Sequence, residues 1–254
     1  MKIISLMNQK GGVGKTTSTI NIGACLSKQG YKVLLIDTDP QGNLTQSTGA
    51  RVEPGASTTL YEVLTQDQDI NQAIIELDNY DLVPCDILLG RADLELVNIP
   101  GNEFLLKEAV GTLNKDYDFI LIDNPPALNR ITLMNMTASD YILIPIQSQY
   151  LAMGGFNQLI ETIATVKKRL NHNIQLLGAF LTMYDARKNL DTTILSNLKN
   201  IFPSGIFETK INVNVSLAEA PAYKTDVLEY KPKSSGAIQY QELTNEILNK
   251  LKTL

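Results

Sequence analysis

Asn8-Gln9-Lys10-Gly11-Gly12-Val13-Gly14-Lys15-Thr16-Thr17 is the stretch whose reading decides the fold. It follows the apolar run Ile3–Met7 and leads into helical spacing over Thr16–Gln29. A glycine-rich turn between a strand and a helix lets backbone N–H groups converge on phosphate oxygens, and the helix N-terminus adds its dipole. In that setting Lys15 is expected to reach the β- and γ-phosphates of ATP and the Thr16 hydroxyl to ligate Mg²⁺. Lys10, Gly11, Gly12, Val13, Gly14 and Thr17 complete the cradle. The usual pattern is G-x-x-x-x-G-K-S/T. Here Gln9 replaces its first glycine, and a second lysine, Lys10, stands inside the loop.

Outward from this loop, short apolar runs alternate with longer amphipathic stretches. Strands are predicted at Ile3–Met7, Lys32–Asp37, Asp81–Pro84, Phe119–Asp123, Tyr141–Gln147 and Leu176–Thr182. Most are apolar almost throughout, as parallel strands buried on both faces are. Helical spacing recurs at Thr16–Gln29, Glu103–Asn114, Leu128–Ala138, Phe156–Leu170, Asp191–Asn200 and Gly236–Leu254. The alternation predicts a doubly wound α/β fold, a mostly parallel sheet with helices on both faces. No linker or repeat interrupts it, so residues 1–254 read as one domain. Ligands of such sheets sit at the carboxyl ends of the strands. Asp37 and Asp39 after the second run, and Asp123 at the end of Phe119–Asp123, fall there. Acidic residues at that place can hold hydrated Mg²⁺ or position an attacking water, though they also cap helices and turns. Pro125-Pro126 stiffens the exit from the last of these strands.

Composition narrows the classes. The chain has 254 residues, 44% hydrophobic and 19% charged, an ordinary globular balance. Cys25 and Cys85 are too few for a disulfide framework, and His172 is the single histidine, so a multi-histidine zinc site is excluded. Cys25 reads as core and His172 as a surface loop residue. No apolar run approaches the ~20 residues of a membrane span, and the N-terminus leaves no room for a signal peptide, which predicts a cytoplasmic protein. The net charge of −5 is unevenly spread: residues 1–150 hold 10 Lys/Arg against 18 Asp/Glu, residues 151–254 hold 12 against 9. A polyanion-binding face is therefore expected in the C-terminal part.

The loop with its extra lysine is similar to the deviant Walker A loop of the ParA/MinD family of dimerising P-loop NTPases. Asp37-Thr38-Asp39-Pro40-Gln41-Gly42-Asn43 resembles that family's first switch, and Asp118–Pro126 its Walker B strand and second switch. Thr182–Arg187 and Leu217–Pro221 resemble later blocks of its Soj-like partition proteins. The resemblance implies that Lys10 crosses a dimer interface to the partner's nucleotide, and that Asp39 positions water. It also implies that Asp37 supports the metal site and Asp123 holds Mg²⁺ through a water. It implies a homodimer formed on ATP, non-specific DNA binding, nucleoid association, and a ParB-like activator that triggers hydrolysis. Of the family's DNA-binding arginines, Arg187 has a counterpart here. Another position holds Ser216, and the Pro-Arg pair is replaced by Asn212-Val213. Lys188, Lys210, Lys224, Lys231 and Lys233 are the candidates to compensate. The chain begins directly at its first strand, so the helix-turn-helix extension of larger plasmid ParA proteins is not expected.

Two rival readings follow from the same resemblance. A MinD-like membrane-cycling ATPase would need a basic amphipathic C-terminal helix. In residues 240–254 Leu243, Ile247, Leu251 and Leu254 share one face, but the polar face carries two Glu and two Lys, which favours a helix packed on the sheet. A metabolic ligase or reductase on the same fold would need a further substrate signature, and none was found.

Overall fold

The computed structural model describes residues 1–53, 55–147, 153–185, 187 and 205–254, and side chains outside 148–156. The segment expected as a helix at Asp191–Asn200 lies outside the described residues, as does Lys188. Seven strands form one sheet: β1 (Lys2–Leu6), β2 (Val33–Asp37), β3 (Ile75–Glu76), β4 (Asp81–Val83), β5 (Phe119–Asp123), β6 (Tyr141–Gln147) and β7 (Gln175–Thr182). Their spatial order is β3-β4-β2-β5-β1-β6-β7, and every pairing is parallel except β3 with β4. The two-residue edge strand β3 was not predicted; it is too short to carry a period.

Alternate residues of one strand feed opposite cores, which is why the strands read as unbroken apolar runs. Ile4, Leu35 and Leu121 point into a layer with α1 (Lys15–Lys28) and the C-terminal helix. Ile3, Ile36 and Ile122 point the other way, toward the helices between β2 and β6. Toward β7 a third cluster joins Ile142 and Ile144 to Leu159 and Ile163.

After β2 come α2 (Asn43–Ser47), α3 (Leu60–Thr65) and α4 (Ile70–Ala73), then α5 (Leu89–Glu95) after β4. Sequence periodicity missed all four, since each spans two turns or fewer. α3 did carry a local sign, the capping box of Thr59 and Glu62, closed by Thr59 N–H to Glu62 Oε2 at 2.8 Å. The expected helix at Glu103–Asn114 is a short 3₁₀ turn followed by α6 (Leu105–Gly111). α7 (Arg130–Ala138) and α8 (Met153–Arg169) follow as predicted within a few residues. The chain closes with α9 (Val215–Glu219), α10 (Val227–Tyr230) and α11 (Ser235–Leu251).

α11 settles the C-terminal question. Leu243, Ile247 and Leu251 are buried in the same cluster as α1, and Tyr240 Oη meets Ser18 Oγ at 2.9 Å. Three of the four expected apolar residues are thus consumed by the fold, as the charge balance of the polar face predicted, while Leu254 lies past the helix end and is exposed. Among the described residues no helix is long and apolar enough to cross a membrane.

Candidate functional site

The three central strands β2, β5 and β1 end side by side, with Asp37 opposite Asp123 and Asp123 opposite Leu6 in register. This is the crevice that an open α/β sheet offers to ligands. The loop between β1 and α1 lies across it. Gly12 and Gly14 adopt φ of +72° and +85°, values that L side chains rarely take. Asn8 braces the loop: its Nδ2 donates to Pro145 O at 2.8 Å, and its Oδ1 accepts from Lys10 N–H at 3.0 Å. Thr182 at the end of β7 donates to Val13 O at 2.8 Å. Gly14 caps α1 without any side-chain acceptor, and no acidic residue stands in the first turn. The first-turn N–H groups of this 14-residue helix are therefore left to an anionic ligand.

Lys15 lies in this cradle, 7% exposed, with Nζ donating to Lys10 O at 3.1 Å. Burial lowers its pKa from the usual value, while the carboxylates of Asp123 and then Asp39 pull it back up. Lys10 reaches over the loop, its Nζ 3.3 Å from Gln147 Oε1.

Thr16 donates to Asp123 Oδ2 at 2.6 Å. Asp123 is fully buried, and its other oxygen, Oδ1, has no partner. Burial first, then Asp37, pushes Asp123 up to about 8, against the Thr16 hydroxyl and Lys15 that pull it down. A hydroxyl and a buried carboxylate with an unused oxygen beside a phosphate cradle form the hard-oxygen donor set that suits Mg²⁺. Asp37 differs. Its Oδ1 accepts from Asp39 N–H at 3.1 Å, and its Oδ2 from the N–H and hydroxyl of Thr45, both at 2.8 Å. Burial raises it to about 6. Its side chain thus shapes the loop after β2 and anchors α2. Asp39, 8% exposed, accepts from Gln41 N–H at 3.0 Å. Pro126 closes the rim, 3.9 Å from where a Cβ on Gly11 would lie.

Two features escaped sequence reasoning. Cys85 sits under the loop after β2 with its thiol donating to Asp39 O at 3.1 Å, and burial lifts its pKa well above the usual thiol range. A cavity of about 270 Å³ opens beside Gly14 and Thr17, lined further by Met183, Asn212, Leu217 and Tyr240. The rule that strand ends carry ligands pointed to Thr182-Met183; nothing in the sequence marked Asn212 or Tyr240.

The described basic candidates each have different neighbours. Arg187, 89% exposed at its side chain, makes a two-pronged ion pair with Asp185 at 2.9 Å. Lys210 lies over the Tyr184 ring, 4.6 Å from its centre. Lys224 is exposed on the turn after α9, held against Gly49 at the end of α2, and Lys231 pairs with Glu219 at 3.5 Å. Lys233 is exposed. Ser216 is buried, not a surface position. His172 is an exposed loop residue and Cys25 is core, as predicted.

A phosphate loop on a helix N-terminus, with a lysine and a Thr–Asp pair converging on it, defines a P-loop nucleotide hydrolase. The family described as AAA domain matches residues 1–176. The sporulation initiation inhibitor protein Soj of Bacillus subtilis is 41% identical over 97% of this chain and 98% of its own. The chromosome partitioning protein ParA of Myxococcus xanthus is 38% identical over 98% of this chain and 88% of its own. Cobyrinic acid a,c-diamide synthase from Mycobacterium smegmatis, solved with an ATP analogue and magnesium, superposes with a TM-score of 0.87. It is 33% identical and covers 100% of this chain and 96% of its own. The chain belongs to the ParA/MinD family of ATPases, on its Soj-like branch.

Proposed function

We propose that this chain is a partition ATPase that hydrolyses ATP to ADP and phosphate with Mg²⁺ and couples that cycle to moving DNA. The observation that carries the reading is the convergence of Lys15, the Thr16–Asp123 pair and Asp39 on one uncapped helix N-terminus. The loop N–H groups and the Lys15 ammonium bind the β- and γ-phosphates; because Lys15 is desolvated, its charge acts at low dielectric. Thr16 and Asp123 would hold Mg²⁺, which supplies charge neutralisation between the phosphates when bound. Asp39 orients the attacking water from the opposite side, and Asp37 fixes the loop that carries it. The cavity beside Thr17 and Met183 receives the base.

The partition reading goes further. Lys10 serves the nucleotide of a second copy, so ATP assembles a homodimer, and the dimer binds DNA without sequence preference through Arg187, Lys210, Lys224, Lys231 and Lys233. A ParB-like protein releases it by stimulating hydrolysis, in the cytoplasm on the nucleoid. All 254 residues act as one domain. Burial of the α11 apolar face supports this over the MinD-like membrane cycle. The higher identity to partitioning proteins, 41% and 38% against 33% for the synthase, supports it over a ligase. The test measures ATP turnover, sizing with ATP, and shift of unrelated DNA in the same preparation. An ATP-dependent dimer that binds DNA at low salt is expected. A dimer that ignores DNA would remove DNA as its track.

A further inference from the structure

Asn135 stands on α7, 1% exposed, facing the sheet ends from behind the site. Its side-chain nitrogen donates to Thr38 Oγ1 at 2.8 Å and to Asn124 Oδ1 at 2.7 Å. An amide nitrogen carries two hydrogens, so both are used. Thr38 passes its own hydroxyl hydrogen to Asp123 O at 2.6 Å. Asn124 Nδ2 donates to Leu6 O at 3.2 Å and Ile122 O at 3.1 Å. Thr38 lies between Asp37 and Asp39, and Asn124 between Asp123 and Pro125. One buried amide therefore ties the loop after β2, the loop after β5 and, through Asn124, the end of β1.

An apolar residue would fill this place at lower cost, since a buried polar group is tolerated only when its bonds are made. The amide instead spans the two segments that hold Asp39 and Asp123, and it touches neither the phosphate cradle nor the base cavity. We infer that Asn135 is a positioning residue for ATP hydrolysis, holding the Asp39 loop and the Asp123 loop in one arrangement. The inference rests on the hydrolytic reading above. Its weight comes from the steepness of geometry: misplacing a reacting group by about 1 Å costs on the order of 100-fold in rate.

The experiment compares Asn135→Ala, the isosteric Asn135→Asp, Thr38→Val and Thr38→Ser in the full chain. It reads kcat, the Kd of a fluorescent ATP analogue, and the melting midpoint. Asn135→Ala and Thr38→Val should lower kcat roughly 10- to 100-fold while Kd stays within about threefold, because neither residue contacts nucleotide. Thr38→Ser keeps the hydroxyl and should recover most of the loss. Added to Asp39→Ala, Asn135→Ala should cost clearly less in kcat than it does alone, since one of the two groups it positions is gone. If Asn135→Ala does not fold, Asn135→Asp and the Thr38 pair carry the test. The inference is overturned if folded variants turn over at the wild-type rate. It is equally overturned if kcat and affinity fall in step, or if losses from Asn135→Ala and Asp39→Ala simply add. A wild-type chain that binds ATP but never hydrolyses it would overturn the hydrolytic reading itself, and that is seen before any variant is compared.

Discussion

The nucleotide end of the sheet and the exposed basic residues of the C-terminal part are built by opposite rules. At the first, charged side chains are buried and nearly every polar atom has an assigned partner, from Lys15 over the loop to the three donors on Asp37. At the second, long side chains stand in solvent and pair loosely with local acids, Arg187 with Asp185 and Lys231 with Glu219. Buried charge fixes residue type and position because an unmatched partner is costly. Solvated charge fixes only a sum, because phosphate recognition by lysine needs charge more than a set geometry.

The contrast can be broken most forcefully at Lys15. Lys15→Gln leaves two buried carboxylates without their cation and the phosphates without theirs, so ATP affinity should fall more than about 100-fold. Fluorescent-nucleotide titration checks this, and unchanged affinity would refute the phosphate-loop assignment. Asp39→Ala is next. Hydrolysis should slow on the order of 100-fold with ATP binding retained, as single-turnover rates would show.

A smaller effect should appear in metal-free, nucleotide-free protein as a function of pH. Asp123 is raised to about 8 and Asp37 to about 6, both from 3.8. An acid whose pKa is raised on folding binds more protons folded than unfolded, so its contribution to stability falls as pH climbs from about 4 to its folded pKa. Asp123→Asn removes that dependence. Its melting midpoint should gain on wild type from pH 6 to pH 8, by up to about 1.4 kcal/mol per pH unit in stability. A pH-independent difference would show that Asp123 is already ionised at pH 6.

The smallest effect belongs to Arg187 and its partner. Arg187→Ala should flatten the slope of log DNA affinity against log salt by about 0.9 per subunit. Asp185→Asn frees the guanidinium and should tighten binding only a few-fold, because exposed ion pairs are weak. A loss of affinity without any change in slope would mean that Arg187 does not meet phosphate.

The same two rules decide what could be read without coordinates. β1, β2, β5, β6 and β7 were legible because burial on both faces makes strands apolar throughout. The convergence of Lys15, Thr16 and Asp123 was legible because a glycine-rich loop between strand and helix and an acidic residue at a neighbouring strand end bring those groups together. The short helices α2 to α5 lack enough turns for a period, although Thr59 and Glu62 spelled a start signal. The three hydrogen bonds accepted by Asp37 come from Asp39 and Thr45, close in sequence but outside any helical or strand period, whereas the thiol beneath Asp39 and the bond from Asn135 to Thr38 join residues 46 and 97 positions apart, which no local pattern encodes.

The place of β1 in the sheet has a consequence for how the molecule is made. It is synthesised before the other six strands of its sheet, yet its neighbours are β5 at residues 119–123 and β6 at 141–147, and the helix after it is covered by α11 at 235–251. At about 10 residues per second, its second neighbour is completed on the order of 10 s after β1 itself. Until then the phosphate loop has no frame, and contacts this distant in sequence form slowly. On the ribosome, tight nucleotide binding should therefore arise late and abruptly, once residues 235–251 have been made, so that a loop translated before the rest of its sheet becomes functional only after it.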